Sequence, residues 1–298
     1  MARIVTPFPI PAITMVVDIA LSLNRSIAVG LLAVINSIQQ NTPSPQRLRF
    51  NIAVRPEEHD YFHQLLSRHF SGADFTWRLG QFEPPAYLAD YLNQKFKPAS
   101  ATQQNSRYMQ YARLFLASLF ADVTKVIYLD ADTIVLDDIT GLFDSTPLTA
   151  TRYLAAVPQL FPAMGYFNKP WRAWDEIRAF EQAFNSGLLV TDLSHWTEPT
   201  YDRIRHYLDW DRQYNYQMLN LGDETLLNLV FKQYLHLAPR WNRCGYGNLR
   251  PVAWLLKKDL KEIGLIHWSG GHHKPWRSAN ITYGSIWRQY ALPLGDEA

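Results

Sequence analysis

The chain of 298 residues contains one cysteine, Cys244. An internal disulfide framework is therefore excluded, and a reducing compartment fits better than a secreted one. No apolar run approaches the roughly 20 residues of a membrane span; the best candidate, Ile13–Leu23, is short and broken by Asp18. The first residues carry Pro7, Pro9 and Pro11 and lack the basic-then-apolar layout of a secretion signal. The expectation is a soluble, cytoplasmic protein with no membrane span. A formal net charge of +2 leaves no footprint for nucleic acid. There is no internal repeat, low-complexity tract or clear linker. What is present is an ordinary folded composition, 47% hydrophobic and 19% charged, enough for one large domain or one domain with an elaborated lobe. The 10 Trp and 16 Tyr suit clefts that stack on sugars, and equally a well-filled core.

Apolar patterning predicts a β-α-β-α-β beginning. Ile13–Ala20 reads as a buried parallel strand, and Ile27, Leu31, Val34, Ile35 and Ile38 follow helical spacing that ends at Asn41. Leu48–Val54 alternates as a second strand, Phe62, Leu65, Leu66 and His69 mark a second helix, and Phe75–Leu79 a short third strand. This is the doubly wound, nucleotide-binding type of architecture. Residues 81–105, with Pro84, Pro85 and Pro98, read as irregular and flap-like. A helix capped by Asn105 or Ser106 is expected through Phe120. Strands follow at Thr149–Val157, Ser186–Asp192 and Ile263–Trp268, with a loop over the cleft at Gln159–Trp174. Helices are expected at Tyr201–Trp210, with Ser194 as cap, and at Asp223–Phe231.

The most informative stretch is Val126 to Ile139, VIYLDADTIVLDDI. An apolar strand ends in Asp130-Ala131-Asp132, and residues two apart on an extended backbone point the same way. Two carboxylates that close repel, unless a cation sits between them. Carboxylate oxygens suit magnesium or manganese, ions that commonly serve phosphates, and open α/β sheets bind ligands at their C-terminal edge. The competing reading is a polar turn, since Asp is a good turn former. Asp137 and Asp138 read as a cap before Ile139.

Further candidates follow. His267 ends the last strand in IHWSGGHHKPW. It is either a hydrogen-bonded core residue or a third ligand for manganese. Gly270 and Gly271 allow backbone N–H groups to approach an anion, and Lys274 adds a charge for phosphate; His272 and His273 read as solvated. Arg113 is either a structural ion pair or a ligand-binding group. Asp223 and Glu224 open a helix, where carboxylates suit the positive dipole end.

Six segments, YARLFLASLF, YLDADTIVL, FNSGLLVTDL, GDETLLNLVF, PRWN and HWSGGHHKPW, occur in this order between about Val16 and Trp276. In these the chain resembles glycosyltransferase family 8, the group of lipopolysaccharide galactosyl- and glucosyltransferases, glycogenin and galacturonosyltransferase-like proteins. The resemblance implies an α/β, GT-A type nucleotide-diphospho-sugar transferase, a Rossmann-like mixed sheet flanked by helices. It implies one domain over residues 1–298, with a nucleotide-binding half at about 13–140 and an acceptor and metal-completing half at about 141–290. It further implies that Asp130, Asp132 and His267 hold Mn²⁺, with Mg²⁺ the alternative, under a UDP-sugar. Lys274, Gly270 and Gly271 would bind the phosphates, Arg113 would reach the donor, and Ala131 would lie near the ribose. Asn185 and Ser186 would face the donor sugar, Asp223 would hold its hydroxyls, and Asn24 and Ser26 would sit near the uracil.

The implied reaction moves a hexosyl unit to a hydroxyl of a glycan, glycolipid or other acceptor with retention, giving an α-linkage. Retention arises by attack from the leaving-group face or through a covalent glycosyl-enzyme. A homo-oligomer is compatible with the sequence. Three departures stand out. Glu224 replaces the amide of the family's Asp-Gln-Asp, which makes the covalent route conceivable. The glycine loop before Lys274 is one residue longer. Asn24 and Ile27 replace an Asp and an aromatic. A sugar nucleotidyltransferase would carry a Gly-rich, basic signature after the first strand, where LSLNRSIAVG stands instead. A degenerate nucleotide-binding scaffold would not need Asp130, Asp132 and His267 together.

Overall fold

A computed structural model describes residues 15–159, 163–180 and 182–295. The elements run β1 (Val17–Ser22), α1 (Ala28–Asn41), β2 (Leu48–Val54), α2 (His59–Phe70), β3 (Thr76–Gln81), α3 (Ala86–Phe96), α4 (Ala101–Tyr111), α5 (Leu116–Leu119), β4 (Lys125–Leu129) and β5 (Thr133–Val135). They continue α6 (Ile139–Ser145), β6 (Leu154–Pro158), α7 (Trp174–Arg178), β7 (Phe184–Asp192), α8 (Glu198–Gln213), α9 (Asp223–Val230), β8 (Leu235–His236), α10 (Arg250–Leu255), β9 (Leu265–His267) and α11 (Gly284–Tyr290). A seven-stranded sheet has the order β3-β2-β1-β4-β7-β6-β8, and β5 pairs with β9 in a separate ribbon. The first four strands are parallel, as the β-α-β pattern predicts, while β7 runs antiparallel to both β4 and β6.

Alternation along the strands builds two cores. Val17, Ile19 and Leu21 of β1 join Ile127 and Leu129 of β4 under α1 and α2. Ala20, Val126 and Tyr128 face the opposite layer with α3, α4, α8 and α9. The central strand β4 is thus apolar on both faces, the pattern of a sheet covered on both sides.

Several expectations need correction. Residues 81–105 are not an irregular flap: α3 and α4 occupy most of that stretch, and Leu88, Tyr91 and Leu92 are buried. Pro84 and Pro85 precede α3 rather than interrupt it, as the lack of a donor N–H allows at a helix start. The cap of α4 is Ser100, whose hydroxyl accepts from the Gln103 N–H at 3.2 Å, not Asn105 or Ser106. The run through Phe120 is likewise split by a 3-10 turn at Ala112–Phe115. Ser194 caps nothing; Asp192 caps the 3-10 turn Leu193–His195, and α8 starts later, at Glu198. Asp138 caps α6 as expected, accepting from the Thr140 N–H. The first strand begins at Val17, and the expected Ile13 and Thr14 lie outside the described residues.

Candidate active site

The Asp pair does not continue an extended strand. Residues 131–132 form a turn between β4 and β5, as the polar-turn reading of Asp130-Ala131-Asp132 expects. The turn is tightly built: the Asp130 N–H donates to Gly187 O at 3.0 Å, and the Thr133 hydroxyl donates to Asp130 O at 2.8 Å. Gly30 of α1 closes on it from outside, and a Cβ there would stand 2.4 Å from Ala131 O.

His267 reaches this turn through the β5–β9 ribbon, whose register sets it opposite Thr133. The Trp268 N–H then donates to Asp132 O at 2.9 Å. His267 Nε2 lies 3.2 Å from Asp132 Oδ1 and 3.8 Å from Asp130 Oδ2. One ligand atom from each of the three residues falls within 4.8 Å of the others, a set able to hold a divalent cation. The imidazole sits where only glycine fits beneath it, since a Cβ on Gly187 would be 2.1 Å from its Cε1.

The other His267 nitrogen, Nδ1, lies 3.0 Å from Asn242 Oδ1. The Asn242 amide donates to Asn185 Oδ1 at 3.0 Å, and the Asn185 amide donates to Glu224 Oε2 at 2.7 Å. With Nδ1 as donor, this relay leaves the Nε2 lone pair facing the carboxylates, the tautomer a metal ligand requires. Asn242 closes PRWN, and Gln110 stands three residues before Arg113. Neither was singled out from sequence, because each acts through a partner distant in the chain. The signal for Asn242 was an amide inside a segment that carries the family pattern, while Gln110 stands just before one.

Arg113 is buried, 7% exposed, and bridges the carboxylates. Its Nη2 donates to Asp130 Oδ1 at 2.7 Å, its Nη1 donates to Ser186 O at 2.9 Å, and its plane lies 4.4 Å over the Tyr128 ring. Nε is 3.0 Å from Asp223 Oδ2, an ion-pair contact without hydrogen-bond alignment, because that N–H points to Gln110 O. Asp223 Oδ2 is therefore buried with no hydrogen bond, while Oδ1 accepts from Gln110 Nε2 at 2.6 Å. Arg113 is thus a structural ion pair, as one of its two expected readings has it, set among the carboxylates of the candidate site.

Burial opposes ionisation of Asp132, yet His267 and Lys274 hold its carboxyl well below the usual range. Lys274 Nζ is 2.5 Å from Asp132 Oδ2 and donates to Trp268 O at 2.8 Å. Burial raises Asp223, with Arg113 opposing. Burial likewise pushes Glu224 from an ordinary 4.5 up to about 7, against the hydrogen bond from the Ser186 N–H. One Glu224 oxygen, Oε2, takes Asn185 Nδ2, Ser186 N and Ser186 Oγ together. Thr225, where the family pattern has a second Asp, is fully buried; its hydroxyl donates to Tyr166 O at 2.9 Å. That position ties the 163–166 turn to α9 and does not face the cleft.

A cleft of about 270 Å³ opens beside these groups. Asn24, Ser26, Arg113, Ala131, Asp132 and Lys274 are on its walls, at the C-terminal edge of the parallel strands. Asn24 also caps the turn Arg25–Ile27, accepting from the Ser26 N–H at 3.1 Å. Gly270 and Gly271 do not line the cleft. Gly270 adopts φ +110° with Asn248 packed against it, so its glycine is a conformational requirement.

In the metal-free protein, Glu224 binds its proton more tightly folded than unfolded. Its contribution therefore favours folding below about pH 4.5 and is lost as pH rises through about 7. The urea midpoint of Glu224→Gln is expected to exceed that of the parent at pH values above this window and to approach it at the acid end. Parallel profiles for the two proteins would contradict the assignment.

The family model described as "Glycosyl transferase family 8" matches residues 18–280. "Probable galacturonosyltransferase-like 6" of Arabidopsis thaliana is 30% identical over 274 residues, covering 87% of this chain and 74% of its own. "Glycosyltransferase 8 domain-containing protein 1" of Xenopus laevis is 28% identical, covering 89% and 75%. Among solved structures, the galactosyltransferase LgtC in complex with donor and acceptor sugar analogues superposes with a TM-score of 0.70 at 20% identity, over 94% of this chain and 98% of that one. The glycosyltransferase GlyE of Streptococcus pneumoniae gives 0.65 at 19%, over 93% and 61%. The mixed sheet, its flanking helices and these neighbours establish the GT-A fold, and the chain belongs to glycosyl transferase family 8.

Proposed function

We propose that the protein transfers a hexosyl unit from a UDP-sugar to an acceptor hydroxyl with retention, and that Asp130, Asp132 and His267 hold Mn²⁺ or, alternatively, Mg²⁺. The observation that carries this reading is the convergence of two carboxylates and an imidazole whose second nitrogen is already committed to Asn242. The oxygen-rich donor set with one imidazole fits a manganese ion. When bound, the ion neutralises charge on the leaving diphosphate.

The chain's own groups supply the remainder. Lys274, now compensating Asp132, is the cation placed to share its charge with a phosphate at the cleft wall. Asp223 Oδ2, buried and without a hydrogen bond, is an acceptor that a sugar hydroxyl satisfies. Asn185 and Ser186 fix Glu224 through Oε2, and the Tyr166 hydroxyl also bonds this carboxyl; Oε1 is the oxygen assigned to the anomeric carbon. In the covalent route that oxygen bonds the anomeric carbon as the sugar–phosphate bond breaks and UDP departs. The acceptor hydroxyl then displaces Glu224 as a carboxylate and gives its proton to a phosphate oxygen of the released UDP. In the same-face route Glu224 only stabilises positive charge on the sugar. The division at about residue 140 into a donor half and a half that completes the metal site follows from this scheme, with His267, Glu224 and Lys274 supplied by the second.

A panel of UDP-sugars incubated with Mn²⁺ is expected to release UDP from a preferred donor, and chelation to abolish release. No release from any donor would leave a nucleotide-binding scaffold as the better reading. Asn242→Ala is expected to weaken Mn²⁺ binding about 10- to 100-fold, the usual effect of losing a ligand's supporting hydrogen bond, measured by titration calorimetry without donor. Unchanged affinity would remove Asn242 from the site. Mass spectrometry with a slow donor is expected to detect a sugar adduct on Glu224 if the covalent route operates. No adduct, together with an active Glu224→Gln, would leave the same-face route.

A further inference from the structure

Six of the twelve large apolar side chains exposed among the described residues fall within the twelve positions from Leu249 to Leu260. Trp254 and Leu255, at the end of α10, are 70% and 74% exposed, and Leu249, Val252, Leu256 and Leu260 flank them. Soluble surfaces seldom group such residues without a partner. The same stretch carries Lys257, Lys258 and Lys261, all exposed. None of the three makes an ion pair among the described residues. Two exposed acids, Asp259 and Glu262, offset part of this charge, and with Arg250 the segment still carries four basic side chains against two acidic ones. Asp259, itself exposed, caps the following 3-10 turn, its carboxylate accepting from the Lys261 N–H at 3.0 Å. Arg250, also exposed, donates to Asn280 O at 3.1 Å.

We propose that the Leu249–Lys261 ridge is a docking surface for an anionic phospholipid membrane. Trp and Leu side chains at the tip of a short helix enter the headgroup–acyl boundary, while adjacent lysines extend to lipid phosphates. A second copy of the chain is the poorer occupant, because a twofold interface would set this lysine cluster against itself. The charge calls for an anionic surface, and the grouped Trp and Leu call for an apolar one; an anionic bilayer supplies both.

The ridge also borders an apolar hollow of about 580 Å³ with Leu249, Pro251, Ala253, Tyr246 and Ile281 in its wall. Asn248 and His273 share that wall, and they lead to the 270–274 loop: Asn248 packs on Gly270, and the His273 N–H donates to Gly247 O at 2.9 Å. Docking would thus place the membrane beside the loop that ends in Lys274. That a docked chain acts on a membrane-borne hydroxyl acceptor rests on the proposed function; the docking itself does not.

Sedimentation of the full chain with phosphatidylcholine vesicles, with and without about one-third phosphatidylglycerol, tests the assignment. The protein is expected to pellet with the anionic vesicles and to be released as salt rises. Trp254→Ser combined with Leu255→Ser should abolish pelleting. Lys257→Glu combined with Lys258→Glu should lower partitioning by roughly tenfold or more at low salt. Release of UDP in solution should be unchanged in both variants, which separates failure of docking from failure of the catalytic reading. The proposal is overturned by an absence of pelleting with either vesicle, or by pelleting that neither variant alters. It is also overturned if the Trp254 and Leu255 changes convert a dimer into a monomer by sedimentation velocity without changing vesicle binding.

Discussion

Four carboxylates, those of Asp130, Asp132, Asp223 and Glu224, crowd one end of the sheet, and the arrangement depends on the two cations set among them. Arg113 is buried between Asp130 and Asp223, and Lys274 lies on Asp132. Like charges this close would otherwise push protons onto the acids or drive the elements apart. The guanidinium suits the first role because its fixed fork reaches two carboxylates and a backbone carbonyl at once while its face rests on Tyr128. The ammonium suits the second because a single flexible charge can be shared with an incoming phosphate. Burial of a charge is tolerated when it is paired and hydrogen-bonded. Arg113 meets that condition from four directions.

The imidazole is handled by geometry rather than by charge. Strand pairing brings His267 opposite Thr133, Gly187 vacates the space its ring fills, and Asn242 takes Nδ1. The same Asn242 continues through Asn185 to Glu224, so the proposed metal ligand and the proposed sugar-facing carboxylate share one chain of amides. Amides can donate and accept along such a chain without adding charge to a site that already holds several. This gives a physical reason for the FNSG and PRWN segments to appear together: each contributes one link.

Residues 81–105 and the Asp pair show how local rules misled. Proline content argued for an irregular flap at 81–105, yet Pro84 and Pro85 only mark the start of α3 and Pro98 lies between two helices. Proline terminates a helix when interior and is harmless at its edge, and composition alone does not say which applies. At Asp130-Ala131-Asp132, alternation along a strand suggested the right convergence for an incorrect reason. The carboxylates converge across a two-residue turn that links β4 to β5, not along a continuing strand.

The sequence by itself determined the first parallel strands and the helices α1 and α2 between them, because period-two and period-3.6 apolar patterns are local properties of a buried backbone. It also determined Asp130, Asp132 and His267 as a candidate set, through residue type and ordered segments. Only the tertiary structure decided that β7 runs antiparallel between β4 and β6, and that a register two strands long carries His267 to the turn. The same is true of Arg113, which pairs with Asp223 as well as Asp130, and of Asn242, which supports the imidazole. Those outcomes depend on groups far apart in the chain, whose pairing is set by packing and charge compensation across the whole sheet, and no local window of residues encodes them.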